Sequence, residues 1–211
     1  MHIVEGFLPL EHAVFWFILS GIVIAYGAYK LNDFVNENPE YGKILTVSGL
    51  LMFVMSLIKF PSVTGSCSHP TGNGFGGVTC GPAITSIFAA IILIVECLLL
   101  GYGGLTTLGA NIFSLGIFGP LVAALIYKGL KKIDLPTTLV VIVAVFFANV
   151  ATYFATAIQL ALAFPNPSFF KTFYTIFVIF GITEFPLAIF DCIVTAIVWL
   201  ILNKYVSDSS A

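Results

Sequence analysis

The sequence predicts an all-α integral membrane protein of about seven transmembrane helices. Three observations carry that prediction. Of 211 residues, 59% are hydrophobic and 9% charged, against about 25% charged in a soluble domain. The mean hydropathy is +1.08. The apolar residues also fall in runs long enough to cross a bilayer, at roughly 20 residues per helix. So little charge cannot cover a water-facing surface. The basic residues are all Lys, with no Arg, and the net charge of −2 excludes a nucleic-acid partner on electrostatic grounds.

The elements follow in order. Residues 10–31 form a first apolar run, with Glu11 and His12 at its mouth. A short polar loop containing Asp33, Asn36, Glu37 and Glu40 leads to a second run, 44–60, which ends with Lys59 at the interface. Residues 61–82 are crowded with Gly, Ser, Thr and Pro, which mark loop backbone. Residues 83–100 form a third run and contain Glu96. Breaks at Gly101–Gly104 and at Gly116–Pro120 divide the next stretch into 105–115 and 121–132. A long run over 136–164 carries Asn149, Thr152, Thr156 and Gln159. The last, 169–205, is expected to bend near Gly181 and Pro186, and it holds Glu184 and Asp191.

Short cytoplasmic loops are rich in Lys. Lys30 and Lys43 flank the first loop, which places it inside and the N-terminus outside. Lys128, Lys131 and Lys132 fall inside as well if 105–115 and 121–132 are separate short spans, giving seven. The loop around His69 then lies on the same side as His2. Residues 1–211 read as a single transmembrane domain. No Lys precedes Lys30 and no small-residue cleavage site interrupts the first run, so the leading segment is expected to remain uncleaved.

The opening Met1-His2-Ile3-Val4-Glu5-Gly6 carries distinctive chemistry. A free amine on Met1, the His2 amide and the His2 imidazole offer three nitrogens that close small chelate rings. Planar nitrogen ligation suits Ni(II) and Cu(II) and can be imposed on Co(II). The chain holds only three histidines, and His69, in the loop Gly65-Ser66-Cys67-Ser68-His69-Pro70, supplies a fourth nitrogen. Cys67 and Cys80 share that loop, but their spacing matches no zinc pattern. Cys97 and Cys192 lie in apolar runs, as inert core thiols do. No phosphate loop and no His-Glu-x-x-His run occurs: Gly72-Asn73-Gly74-Phe75-Gly76-Gly77 lacks the Lys that a phosphate loop needs.

Four segments resemble the CbiM/NikM family, the substrate-binding (S) components of energy-coupling-factor (ECF) ABC transporters for cobalt and nickel. They are Met1–Pro9, Thr64–Gly72, Gly103–Asn111 and Gln159–Pro165, and the likeness spans nearly the whole chain. The resemblance implies a six-helix S-component core with an extra N-terminal helix. It also implies a leading segment that plugs into the protein. Metal would be held by the Met1 amine, the His2 amide and imidazole, and His69. Glu5-Gly6 resembles the cobalt-type opening, whereas Val4 departs from it. Glu5 is expected to orient His2 as an outer carboxylate. Ser68 and Glu96 are expected to support the plug and loop from behind the ligands. Glu96 stands where the family has a neutral amide, and Asn149 where it has an acid.

The expected function is capture of Co(II), for cobalamin synthesis, by a non-enzymatic transporter subunit without a prosthetic cofactor. Ni(II) uptake by the same machinery is the alternative, and a membrane metalloenzyme a more distant one. The implied partners are a transmembrane coupling (T) subunit, ATPase (A) subunits and a small accessory membrane subunit. All would sit in the lipid bilayer of a prokaryotic cell membrane.

Overall fold

The computed structural model describes residues 2–37, 41–61 and 67–209. Eight α-helices dominate the described residues: α1 Leu10–Glu37, α2 Tyr41–Leu57, α3 Asn73–Thr79, α4 Pro82–Val95, α5 Leu108–Asn111, α6 Gly119–Leu130, α7 Thr137–Ala163 and α8 Phe169–Ser209. Two-residue strands, β1 Phe60–Pro61 and β2 Cys67–Ser68, pair antiparallel. Among the described residues, five helical stretches are long and apolar enough to cross a membrane, and Tyr41–Leu57 is a shorter apolar one.

Helix α4 continues into a π-helix, Glu96–Leu100. A second π-helix, Ile112–Phe118, joins α5 to α6. The stretches 105–115 and 121–132, expected as two short spans, are therefore one helix, Leu108–Leu130. Pro120 has no N–H to give to Gly116, which would break an α-helical ladder. The wider π turn directly before Gly119-Pro120 absorbs that defect, so the helix continues.

An extra traverse of the bundle falls elsewhere. Helix α2 ends beside the leading residues, where Lys59 meets Glu96. Helix α4 starts at the opposite end, where Ala83 packs on Gly27 of α1. Residues 69–81 connect the two, running back through the interior. Gly72 lies on Met52, Asn73 Nδ2 donates to the Leu115 carbonyl at 2.8 Å, and Thr79 Oγ1 meets Ser48 Oγ at 2.9 Å. Every residue from Ser68 to Gly77 is buried. The glycine-rich run read as loop is this buried return, and the short α3 satisfies part of its own backbone. A Cβ on Gly77 would collide with the Pro120 backbone, so glycine is what lets α3 sit so close to α6. Irregular backbone at this depth is tolerated only where protein buries it.

The return also orders the charges. Lys30, Lys43, Lys128, Lys131, Lys132 and Lys204 all lie at or near helix ends on the side away from the leading residues. Lys131 Nζ donates to Thr137 Oγ1 at 2.9 Å, tying α6 to the start of α7. Helix α7 is largely enclosed. Its Val140, Val141, Ala144, Val145 and Ala148 are fully buried, small side chains that let neighbouring helices approach. Helices α1 and α8 instead leave large apolar side chains outside, among them Phe15, Ile18, Ile22, Ile182 and Ile197. An apolar exterior over a partly polar interior suits lipid as the surrounding solvent.

Gly77→Val is expected to lower the thermal unfolding midpoint of the detergent-solubilised protein by several degrees, because overpacking a tight contact costs about 1–3 kcal/mol. A midpoint equal to that of the unaltered protein would show that the return segment is not packed this tightly.

Candidate metal centre

The leading residues enter the bundle as an extended plug. Ile3 N–H donates to Asn111 Oδ1 at 2.8 Å, and Asn111 Nδ2 donates back to the Ile3 carbonyl at 3.0 Å. Thr107 Oγ1 donates to the same carbonyl at 2.7 Å. Further out, Glu5 N–H donates to the Gly103 carbonyl at 3.1 Å and Gly6 N–H to Thr106 Oγ1 at 2.9 Å. The third signature, Gly103–Asn111, is thus the cradle for the first. A Cβ on Gly104 would meet the Glu5 backbone, so the cradle needs glycine there. The Ile3 and Leu8 side chains pack with Ala13, Trp16, Ala110 and Tyr153, giving the plug an apolar anchor.

This grip delivers His2, which is 3% exposed, to His69, which is 1% exposed. Their Nε2 atoms are 3.2 Å apart. His2 Nε2 also lies 3.5 Å from Glu96 Oε2. One ligating atom from each of His2, His69 and Glu96 fits within 4.8 Å of the others. Met1 lies outside the described residues.

The surroundings assign the hydrogens. His69 Nδ1 faces the Pro70 carbonyl at 2.9 Å. A carbonyl only accepts, so Nδ1 carries the hydrogen and Nε2 keeps a lone pair. Between that lone pair and a carboxylate, His2 Nε2 carries the hydrogen, which leaves the second lone pair on His2 Nδ1. His2 Nδ1 is buried and has no hydrogen-bond partner. It is also the ring nitrogen nearer the backbone, the one able to close a small chelate ring with the His2 amide. Burial pushes both imidazoles well below their ordinary pKa of 6.5. Lys59 adds to this at both, and the neighbouring His69 adds to it at His2. The neutral, metal-ligating forms are thereby favoured.

The supporting residues divide differently from expectation. Glu96 does face His2, and its second oxygen meets Lys59 Nζ at 3.2 Å. Glu5 turns away from the centre. Its carboxylate accepts the Thr106 N–H at 3.2 Å on the exposed side, and hydrogen bonding by the Thr106 side chain, then by its backbone, lowers its pKa. The extended plug backbone separates Glu5 from His2, so Glu5 secures the plug and does not orient the imidazole. Ser68 Oγ donates to Glu184 Oε1 at 2.7 Å, tying β2 to α8. Asp191 on α8 accepts the Thr71 and Gly72 N–H groups at 3.1 and 3.0 Å, together with the Asn149 amide at 3.0 Å. The Asn149 position is thus served by an acid from the next helix.

Sequence reasoning gave no role to Asn111, Thr107, Lys59, Glu184 or Asp191. The signal for the acids was their presence in an apolar run, where ionisable groups face a partner or a cavity. The signal for Asn111 and Thr107 was a polar pair within the third signature.

These features define a class: a multi-pass helical membrane protein with a buried histidine centre capped by its own leading segment. The family model for the cobalt uptake substrate-specific transmembrane region, CbiM, matches residues 2–209. A CbiM relative from Methanococcus voltae is 52% identical over 97% of this chain and 91% of its own length. One from Methanocaldococcus jannaschii is 49% identical over 99% and 89%. The cobalt transport protein CbiM 1 of Pelobacter propionicus is 44% identical over 97% and 92%. The crystal structure of a transition metal transporter superposes with a TM-score of 0.82 at 23% identity, covering 97% of this chain and 93% of that one. The chain belongs to the CbiM family.

Asn111→Ala is expected to leave the Ile3 N–H without its acceptor and the Ile3 carbonyl on Thr107 alone, loosening the plug by about 2 kcal/mol. Hydrogen exchange at the Ile3 and Glu5 amides should accelerate, while exchange within α7 stays unchanged. The buried imidazoles set a pH dependence as well. Below pH 6.5 the unfolded chain takes up protons that the folded protein refuses, because the folded pKa values are depressed. Each imidazole contributes stability that is fully present above pH 6.5 and is lost as pH falls towards the folded value. Thermal melts in detergent between pH 8 and pH 5 should show the midpoint falling below about 6.5, and the fall should shrink in His69→Asn.

Proposed function

We propose that this chain is the metal-capturing substrate-binding subunit of an ECF-type ABC transporter that imports Co(II), feeding cobalamin synthesis. The observation that carries the reading is the pairing of His2 with His69 in a buried site whose hydrogen positions leave one lone pair on each ring. The Met1 amine and the His2 amide, joined to His2 Nδ1 by small rings, complete a four-nitrogen set with His69 Nε2. The cargo is held by these nitrogens and is enclosed by the plug. Family membership and the cobalt transport name of the Pelobacter propionicus relative support Co(II) over Ni(II), although nitrogen donors alone hold Ni(II) more tightly. Selection of cobalt then falls to cavity shape and metal supply.

In this reading the end carrying the plug faces outside, and the lysine-rich end faces the cytoplasm, as the positive-inside rule favours. A transmembrane coupling subunit, ATPase subunits and a small accessory membrane subunit complete the transporter. The ATP is hydrolysed by those partners, and this chain performs no catalysis.

One added residue before Met1 separates the amine from the His2 amide while keeping every side chain. Equilibrium binding of Co(II) chloride to the purified protein should be lost on that addition and in His69→Ala. High-affinity binding by the extended protein would overturn the proposed donor set. Competition between Co(II) and Ni(II) on the unaltered protein settles the cargo.

A further inference from the structure

Helix α8 holds the His69 segment at two points, one on either side of the histidine. Ser68 Oγ donates to Glu184 Oε1 at 2.7 Å. The Thr71 and Gly72 N–H groups donate to Asp191 Oδ2 at 3.1 and 3.0 Å. Glu184 and Asp191 lie two helical turns apart on one face, shared with Leu187, Ala188 and Thr195, and all five are buried. Two turns rise about 10 Å, and the chain from Ser68 to Thr71 spans at most about 10 Å. The two carboxylates are therefore matched posts for the short span that carries His69. Pro186 stands between them in sequence, inside the helix and on its exposed side. It has no N–H for the Ile182 carbonyl, and its ring crowds that carbonyl. Such crowding opens the proline side of a helix, so α8 bends towards the opposite face, the one that carries the posts. Two buried N–H groups need an acceptor, but they do not need one that a proline separates from a second post.

Ser68 is also paired with Phe60 of β1, so the Glu184 end of the span is fixed twice. The half of α8 beyond Pro186 carries the other end. A further bend of about 20° at the proline draws posts that stand about 5–6 Å off the helix axis together by about 2 Å. That is about the length of a metal–nitrogen bond. Pro70 has a fixed φ, so the shortened span yields at His69. The plug that carries His2 is held by Asn111 and Thr107, on other elements, and stays in place. We propose that Glu184 and Asp191 are positioning residues for His69, and that bending of α8 at Pro186 withdraws His69 from His2 and releases the divalent cation. The inference rests on the metal-capture reading and is indifferent to cobalt or nickel.

The test follows release of Co(II) from the full chain in detergent, loaded with Co(II) chloride and mixed with excess EDTA in a stopped-flow spectrometer. Pro186→Ala returns an N–H to the Ile182 carbonyl at an exposed position and stiffens the helix. Release should slow several-fold, while exchange of the Ile3 and Glu5 amides stays unchanged. Release at the unaltered rate, or faster, overturns the lever. Asp191→Asn takes one carboxylate oxygen from the segment. It should weaken Co(II) binding by about tenfold, the worth of one buried hydrogen bond. It should also shift the visible absorption of the bound Co(II), because His69 then meets the ion at a different angle. In that background Pro186→Ala should no longer slow release, and a slowing equal to that in the unaltered protein counts against the coupling. A lower thermal midpoint with an unchanged spectrum makes Asp191 a stabilising residue alone and overturns its positioning role. Ser68→Ala reads the other post without stripping a backbone group, and serves if Asp191→Asn does not fold. It should shift the same absorption, and an unchanged spectrum there counts against the posts. The one-residue extension before Met1 separates the two readings. If the extended protein binds Co(II) fully, the capture reading fails. If binding is lost on extension while Pro186→Ala leaves release unchanged, only the lever fails.

Discussion

The centre depends on one residue of the plug, Ile3, whose N–H and carbonyl are both bonded by one side-chain amide. Asn111 takes both the N–H and the carbonyl of Ile3, at 2.8 and 3.0 Å. A buried peptide group that loses its partner costs about 1–3 kcal/mol, so the plug cannot slide without breaking two bonds at once. The same reciprocal contact fixes the register of the leading residues. Moving the plug by one residue would put Val4 or His2 against Asn111 and carry the imidazole away from His69. The position of a candidate ligand is therefore set by an amide that touches no metal.

The second constraint is the buried return over residues 69–81. Its polar backbone must be satisfied without water, and α8 supplies much of what it needs. Asp191 takes two consecutive N–H groups, Glu184 takes Ser68, and α3 bonds to itself. His69 is thus held from behind by α8 while His2 is held by the helix over Leu108–Leu130. The two imidazoles belong to different anchoring systems and meet ring against ring, with their Nε2 atoms 3.2 Å apart. A partner that shifted α8 against the rest of the bundle would act on one histidine and leave the other in place.

Much of this was legible in the sequence. Hydropathy gave the helical membrane class and most of the apolar helices, because a 3.6-residue repeat in lipid needs only length and apolarity to declare itself. The resemblance of the opening residues and of the His69 loop to known signatures, more than their spacing, singled out His2 and His69, which the fold brings together at 3.2 Å. Gly116, Gly119 and Pro120 misled, since sequence rules treat them as breaks and a π turn absorbs them. The run from Gly72 to Gly77 misled in the opposite sense: glycine there marks close packing of backbone on backbone, not a surface loop. Glu5 was placed by its nearness to His2 in sequence, but it lies three residues on, and residues an odd number apart on an extended chain point to opposite faces. Lys59 looked like an interfacial charge because nothing local shows that α4 will bring Glu96 beneath it.

The π-helix at Glu96–Leu100 has a consequence for how such a chain varies. A π turn holds one residue more than an α turn. Deleting one residue between Cys97 and Leu100 would restore a regular ladder and give a locally better helix. The same extra residue carried in a regular α-helix would turn everything beyond it by about 100°, swinging the Gly103–Asn111 cradle away from the plug. The irregular turn is therefore a phase adjuster, trading local helical stability for the angular position of the cradle. Length changes in the regular part of α4, where no π turn absorbs them, should move the cradle off the plug before they unfold the bundle.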